Sequence, residues 1–250
     1  LNRLSYDFKN EDNECAGYII LKNKKICLAI DAGPTPSTNY TKNYQSGALS
    51  FEIISKGQRL ITNCGYYSNK NIKLNQISKS SATHSTLTID DTSSCKFIKI
   101  DKNLVIKKGL KIQNKNIIFE KDYWKINISH DGYLKKYNTI YERQIEFYPK
   151  KMSFIGLDKI TKKKTNHNYK FDIRFHVEPK TKLMKTQDNK TILIELEDQG
   201  WRFTCENYDI NIDNGLYFGK KNSYTENQNI FITGISHKQV ENVKWEIKKI

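Results

Sequence analysis

Phe171-Asp172-Ile173-Arg174-Phe175-His176-Val177 decides the fold class, because apolar and polar side chains alternate along it with period two. A strand gathers every second residue on one face, whereas a helix would scatter the same residues around its circumference. Trp124-Lys125-Ile126-Asn127-Ile128-Ser129-His130 repeats the pattern. Residues 18–21 and 26–30 flank the Lys22-Asn23-Lys24-Lys25 turn and read as a hairpin. Leu49, Phe51 and Ile53 share one face of the next strand, and 59–62 follows the Lys56-Gly57-Gln58 turn. Later strands are expected near 192–196, 201–205, 230–233 and 243–247. No stretch sustains a helical i, i+3, i+4, i+7 pattern over three turns, and the best helical candidate is the weak one at 71–80. Pro34, Pro36, Pro149 and Pro179 all fall at expected strand ends, where a missing N–H does least harm. The expectation is an all-β chain: a large antiparallel β-sandwich of two extended sheets, with few or no long helices, forming one domain over 1–250.

Composition bounds the function. Among 250 residues, 15 Tyr and 11 Phe suit strands, and 37% hydrophobic residues suffice for a sizeable core. No apolar run approaches the roughly 18 residues of a membrane span, so no membrane span is expected. The chain begins at Leu1 without a signal-peptide pattern and reads as a piece of a longer protein. A net charge of +15 points to a polyanion partner, or to compositional drift in a chain rich in Lys, Asn and Ile. Arg occurs only at positions 3, 59, 143, 174 and 202, which argues against nucleic acid as that partner, since bidentate phosphate and base contacts favour Arg. Cys15, Cys27, Cys64, Cys95 and Cys205 are odd in number, widely spaced and free of C-x-x-C, so small core residues are expected rather than zinc knuckles or a disulfide framework. The run Lys162-Lys163-Lys164 reads as a solvated turn. Nucleophile elbows, H-E-x-x-H, P-loops and dinucleotide fingerprints are all missing from the sequence, and its acidic residues offer no recognisable catalytic pair.

Strand parity sorts the remaining candidates. Asp172, Arg174 and His176 form a polar stripe opposite Phe171, Ile173 and Phe175, either a solvated face or the floor of a cleft. His84 shares parity with Thr86 and Thr88, opposite Leu87 and Ile89. His130 is in register with Trp124, Ile126 and Ile128 just before the Asp131-Gly132 turn, as a core histidine at a strand end would be. His167 and His237 sit in polar loops.

Several segments together resemble a known family. They are Ala29-Ile30-Asp31-Ala32-Gly33-Pro34-Thr35-Pro36, Ser46-Gly47-Ala48-Leu49-Ser50-Phe51-Glu52, and Ala82-Thr83-His84-Ser85-Thr86 running on to Asp91. Ser129-His130-Asp131-Gly132-Tyr133, Ile173 to Pro179, Gly200-Trp201-Arg202-Phe203 and Trp245 complete the series. In this order they resemble the C-terminal β-sandwich domain of bacterial heparinase II/III-like proteins, over nearly the whole chain. The resemblance implies a polysaccharide lyase that cleaves acidic, uronate-containing glycans by β-elimination in the cell envelope (periplasm). It also implies a preceding α-helical toroid domain that supplies a tyrosine across the cleft, so this chain alone is expected to be inactive. The elimination needs a base for the proton α to the carboxylate, a group that stabilises the enolate, and an acid for the leaving oxygen.

The family's His-x-His, which precedes the strand at 48–52, is replaced here by Asn43-Tyr44-Gln45-Ser46-Gly47. One of those histidines is catalytic in the family and another holds a metal. His84 matches a later family position that is a metal ligand in some members, but closed structural zinc sites use four ligands, so no bound metal or other cofactor is expected. By this resemblance His84, His176 and Arg174 are the expected catalytic groups, gathered in one basic groove. Tyr44, Gln45, His130 and Tyr133 are the expected sugar contacts, with His130 near the groove's edge.

Overall fold

β1 (Glu14–Cys15), β2 (Tyr18–Lys22), β3 (Ile26–Asp31), β4 (Phe51–Ser55) and β5 (Gln58–Ile61) pair in that order as a five-stranded antiparallel sheet in the computed structural model. The structure describes residues 14–68, 71–101, 103–163, 167–220 and 223–250. The β2–β3 hairpin turns where Asn23 Oδ1 accepts the N–H groups of Lys25 and Ile26, both at 2.8 Å, so its carboxamide stands in for a backbone turn. The weak helical candidate becomes α1 (Ile72–Ser78), whose first turn is capped by Asn71 Oδ1 accepting the Leu74 N–H at 3.1 Å.

β6 (Leu87–Ile89) is followed by the isolated hairpin β7 (Lys96–Ile100) and β8 (Asn103–Lys108). Then come β9 (Ile112–Phe119), β10 (Trp124–His130), the single turn α2 (Leu134–Tyr137), β11 (Thr139–Tyr148), β12 (Ser153–Lys162) and β13 (Lys170–His176). The remaining strands are β14 (Lys182–Lys185), β15 (Thr191–Glu195), β16 (Gly200–Cys205), β17 (Ile210–Tyr217), β18 (Thr225–Ile235) and β19 (Val240–Lys249). Eight strands in the order β14-β15-β16-β19-β12-β11-β10-β9 make one layer.

The all-β class is as expected, but the second layer is not one extended sheet. It consists of the five-stranded sheet and a four-stranded one, β17-β18-β13-β6, joined through isolated bridges: the Thr62 N–H donates to His176 O at 2.9 Å, and Gly65 pairs with Phe218. The break has a local cause: after Thr62 the chain leaves the ladder and turns through Gly65 in the left-handed region at φ 81°.

The layers meet through aromatic side chains. Phe51 stacks on Trp245 at 5.5 Å between ring centroids, and Phe175 packs edge-on against Trp245 at 5.0 Å and tilted against Phe203 at 4.7 Å. Burying one such side chain contributes about 1.5–3 kcal/mol. Gly156 faces Trp245 across the β12–β19 ladder, and a Cβ there would lie 2.0 Å from the indole, so the core requires glycine at that position. Cys64, Cys95 and Cys205 are buried, Cys27 is half-buried and Cys15 is exposed. Lys162 corrects an expectation: it is buried at the end of β12, where Nζ donates to Ser236 O at 2.7 Å over the Tyr169 ring. Lys164 of the same run lies outside the described residues. Among the described residues no helix is long and apolar enough to cross a membrane.

Candidate functional site

The outward face of the five-stranded sheet carries the polar residues that alternate with its core side chains. Tyr18 pairs with Asp31 across β2–β3, and Ala29 pairs with Glu52 across β3–β4. These four side chains share one face of the sheet, with Asp31 diagonal to Glu52. The loop at 43–50 and His84 rise beside that face and enclose a groove of about 420 Å³.

The loop is held from below. Gln45 Nε2 donates to Gly65 O at 2.9 Å and Ser78 O at 2.7 Å. Ser46 Oγ accepts the Cys95 N–H at 2.9 Å, while Ser81 Oγ donates to Ser46 O at 2.7 Å. Gly47 packs against the imidazole of His84, and a Cβ there would come within 2.6 Å of Cδ2. Leu49 sits in the left-handed region at φ 60°. Its carbonyl and that of Ser85 both accept hydrogen bonds from Arg143 Nη1, at 3.0 and 2.5 Å. Arg143 is itself fully buried in a bidentate pair with Asp158, at 2.6 and 3.0 Å, so one core guanidinium ties together the two segments that form the groove's wall.

His84 is 5% exposed. Its Nδ1 lies 2.8 Å from Ser80 O, which can only accept, so Nδ1 carries the proton and Nε2 presents a lone pair toward the groove. Burial pushes its pKa down to about 4, only partly offset by the Ser80 carbonyl, so the ring is neutral at ordinary pH. Asp31 is shifted the opposite way. Burial raises its carboxyl to about 6, against the lowering effect of the Gly33 N–H, which donates to Oδ1 at 3.3 Å. Tyr44 lines the groove with its hydroxyl buried near Asp31, Cys95 and Thr35, and burial pushes its pKa up against the lowering effect of Thr35.

The other expected groups are placed differently. His176 is 1% exposed and has both ring nitrogens engaged: Nε2 donates to Ala82 O at 2.9 Å, and Nδ1 accepts from the Cys64 thiol at 3.1 Å. Its pKa falls to about 3, first through burial and then through repulsion from His84 and Arg174. Arg174 donates to Thr88 Oγ1 at 3.2 Å, lies 3.6 Å from Asp172 and covers the Phe231 ring. His130 is not near the groove's edge but in the core between Tyr133 and Tyr141; its Nδ1 accepts the Gly132 N–H at 3.0 Å, and burial pushes its pKa down to about 3. Tyr133 is equally buried, donating to Leu87 O at 2.6 Å.

The expected basic groove therefore does not form from these residues. His84, Tyr44 and Gln45 line the groove; His176, Arg174, His130 and Tyr133 do not, and among the described residues its lining includes no Lys or Arg. Asp31, Glu52, Asn63 and Tyr18, which sequence reasoning left without a role, complete it. The available signal was parity: Asp31 and Ala29 point away from Leu28 and Ile30 on a strand whose other face is core. Among the described residues no group of three or more His, Cys, Asp and Glu side chains is placed to hold a metal ion.

The family model for the heparinase II/III-like C-terminal region matches residues 11–246. The chain belongs to this family. Its fold is similar to that of the heparan sulfate lyase HepC from Pedobacter heparinus, with a TM-score of 0.74 at 15% identity over 94% of this chain. A heparinase III solved with methylated lysines is similar at a TM-score of 0.74 and 13% identity, again over 94% of this chain. The heparinase-like chain spans only about a third of these proteins, 35% and 34% of their respective lengths. No curated protein matches its sequence.

Proposed function

We propose that this heparinase II/III-like domain forms the glycan-facing wall of a polysaccharide lyase. The enzyme would cleave acidic, uronate-containing polysaccharide by β-elimination in the bacterial cell envelope (periplasm), with an N-terminal α-helical domain closing over the groove. The observation that carries this reading is His84, whose proton is committed to Ser80 and whose Nε2 lone pair is left facing the groove. In β-elimination a base removes the proton at C5 of the uronate, the C4–O bond breaks as C4=C5 forms, and the departing oxygen takes up a proton. His84 offers an acceptor for such chemistry, and Asp31, with its carboxyl held near 6, offers a group that can carry a proton. Among the described residues no Lys or Arg lines this side, so the charge that stabilises the enolate would come from the other side of the cleft.

The test is full-length protein incubated with heparan sulfate, chondroitin sulfate, alginate and polygalacturonate, following the absorbance of unsaturated uronate. Product should form with at least one substrate, and His84→Ala should remove it while the fold persists. An unchanged rate in His84→Ala would overturn the assignment of His84. A second reading, a non-catalytic glycan-binding or structural sandwich, is favoured by Tyr44 and Gln45 at the places of the family histidines, with Gln45 spent on main-chain carbonyls. Glycan binding without unsaturated product from any substrate would select it.

A further inference from the structure

The groove's electrostatics run against those of the whole molecule. The chain carries a net charge of +15, yet among the described residues this groove contains the carboxylates of Asp31 and Glu52 and no Lys or Arg. The two acids lie diagonally on adjacent strands, and both act on the Tyr18 hydroxyl, which places that phenol within the field of the pair. Among the described residues the nearby cations bond to other groups, although Arg59 also lies within the field of Glu52. Arg59 pairs with Glu178 at 2.7 Å, and buried Lys79 donates to the carbonyls of Lys42 and Leu104. Among the described residues Asp31 is thus a largely buried acid without a countercharge, the situation in which burial raises a carboxyl pKa.

A further polar atom has unspent hydrogen-bonding capacity at the same cavity. His84 Nε2 faces it from a side chain that is only 5% exposed, its Nδ1 being spent on Ser80 O. Tyr18, 48% exposed, supplies an aromatic face at the rim. The volume of about 420 Å³ lies within the range of small-ligand sites.

From this arrangement we propose that the groove binds an amine-bearing sugar ring, a hexosamine unit whose ammonium group is held by Asp31 and Glu52 while His84 stands at its junction with the neighbouring uronate. A uronate or sulfate at this position would bring a third negative charge against the pair, so the groove selects against the acidic unit as well as for the amine. An organic ammonium fits better than a metal ion, for which no trio of ligands is assembled among the described residues. The proposal rests on the groove being the glycan-facing wall, and places the hexosamine of a uronate–hexosamine chain here, with the uronate beyond it toward the opposite domain.

The test is titration of this chain, labelled with ¹⁵N and ¹³C, with three probes at neutral pH: the β-1,4 glucosamine trimer, its fully N-acetylated form and trigalacturonate. The glucosamine trimer should bind at least tenfold more tightly than the N-acetylated trimer, with trigalacturonate weakest and shifts centred on Tyr18, Tyr44 and His84. The double variant D31N/E52Q should erase that preference, and added salt should shrink it in the wild-type chain. If the double variant does not fold, E52Q alone should lower the preference severalfold. Trigalacturonate binding as tightly as the glucosamine trimer, no probe shifting the groove at millimolar concentration, or a preference unchanged in the variants would each overturn the proposal. Product formation by the full-length protein is scored separately, so a preference without lyase product would sink the lyase reading alone.

Discussion

The core around Arg143 and the groove beside His84 both hold ionisable groups away from water, yet they differ in completeness. Arg143 has Nε and Nη2 on the two oxygens of Asp158 and Nη1 on two carbonyls, while Asp158 also accepts from the Tyr141 hydroxyl at 2.6 Å and from Trp245 Nε1 at 2.8 Å. The rings of Phe51 and Phe175 flank the guanidinium. In the groove, His84 spends only Nδ1, on Ser80 O, and Asp31 has no countercharge among the described residues. A saturated buried charge holds a structure together, and an unsaturated one keeps a capacity for ligand. His176 belongs with the first region despite its proximity to His84, because both its nitrogens are used.

The largest effect should separate the regions by pH. Unfolded histidine takes up a proton near 6.5, whereas His84 stays neutral down to about 4 and His130 and His176 down to about 3, so their stabilising contribution is present above 6.5 and is lost on acidification. At pH 5 the three together should cost about 6 kcal/mol, taking about 1.4 kcal/mol per pH unit below 6.5 for each. Asp31 works the other way: its folded carboxyl takes up a proton near 6 and its unfolded one near 3.9, which returns about 1 kcal/mol over the same interval. Urea unfolding at pH 7 and pH 5 should therefore show a net loss on the order of 5 kcal/mol. An unchanged midpoint would mean that these imidazoles are not held neutral by burial.

Next in size, Arg143→Met leaves Asp158 buried without its partner and should cost about 3–5 kcal/mol. Arg143→Met combined with Asp158→Leu should recover part of that loss, measured by the same denaturant curves. A loss below about 1 kcal/mol in the single variant would contradict the claim that this cluster is structural.

Gly47→Ala tests the junction of the two regions. Its Cβ would meet His84 Cδ2 at 2.6 Å, so it should cost about 1–3 kcal/mol and displace the imidazole, seen as a change in the His84 ring signals. A silent substitution would show slack between the loop and the ring. The smallest effect belongs to Asp31→Asn, which removes a buried carboxylate lacking a countercharge. It should stabilise the fold at pH 7 by about 1–2 kcal/mol after allowance for solvent screening. A loss instead would mean that Asp31 has a native partner.

Legibility followed the same division. The alternations at Trp124–His130 and Lys170–His176 were plain because each keeps a regular apolar face along one strand. β11 and β12, the longest hairpin of the eight-stranded sheet, went unassigned from sequence. Tyr141, Arg143, Ile145 and Phe147 do alternate, but the pattern is a strand only if an arginine is allowed on the inward face. Lys162 misled in the same way, since a triple-lysine run resembles a solvated turn until Ser236 O and Tyr169 are seen to enclose its ammonium group.

Period-two patterning determined by itself that this chain is built from antiparallel strands, and the ordered short motifs determined its heparinase II/III-like family, because both signals are local to single segments. Parity also separated the two faces of β13 correctly. Only the tertiary structure decided which polar residues stay available. His84 and His176 carry the same ring and similar parity, but Ala82 and Cys64 close around one, while Gly47 and the 43–50 loop leave the other with a free nitrogen. The acidic character of the groove was likewise invisible in a chain of net charge +15, because charge at a site is set by which few side chains converge there and not by the sum over the chain.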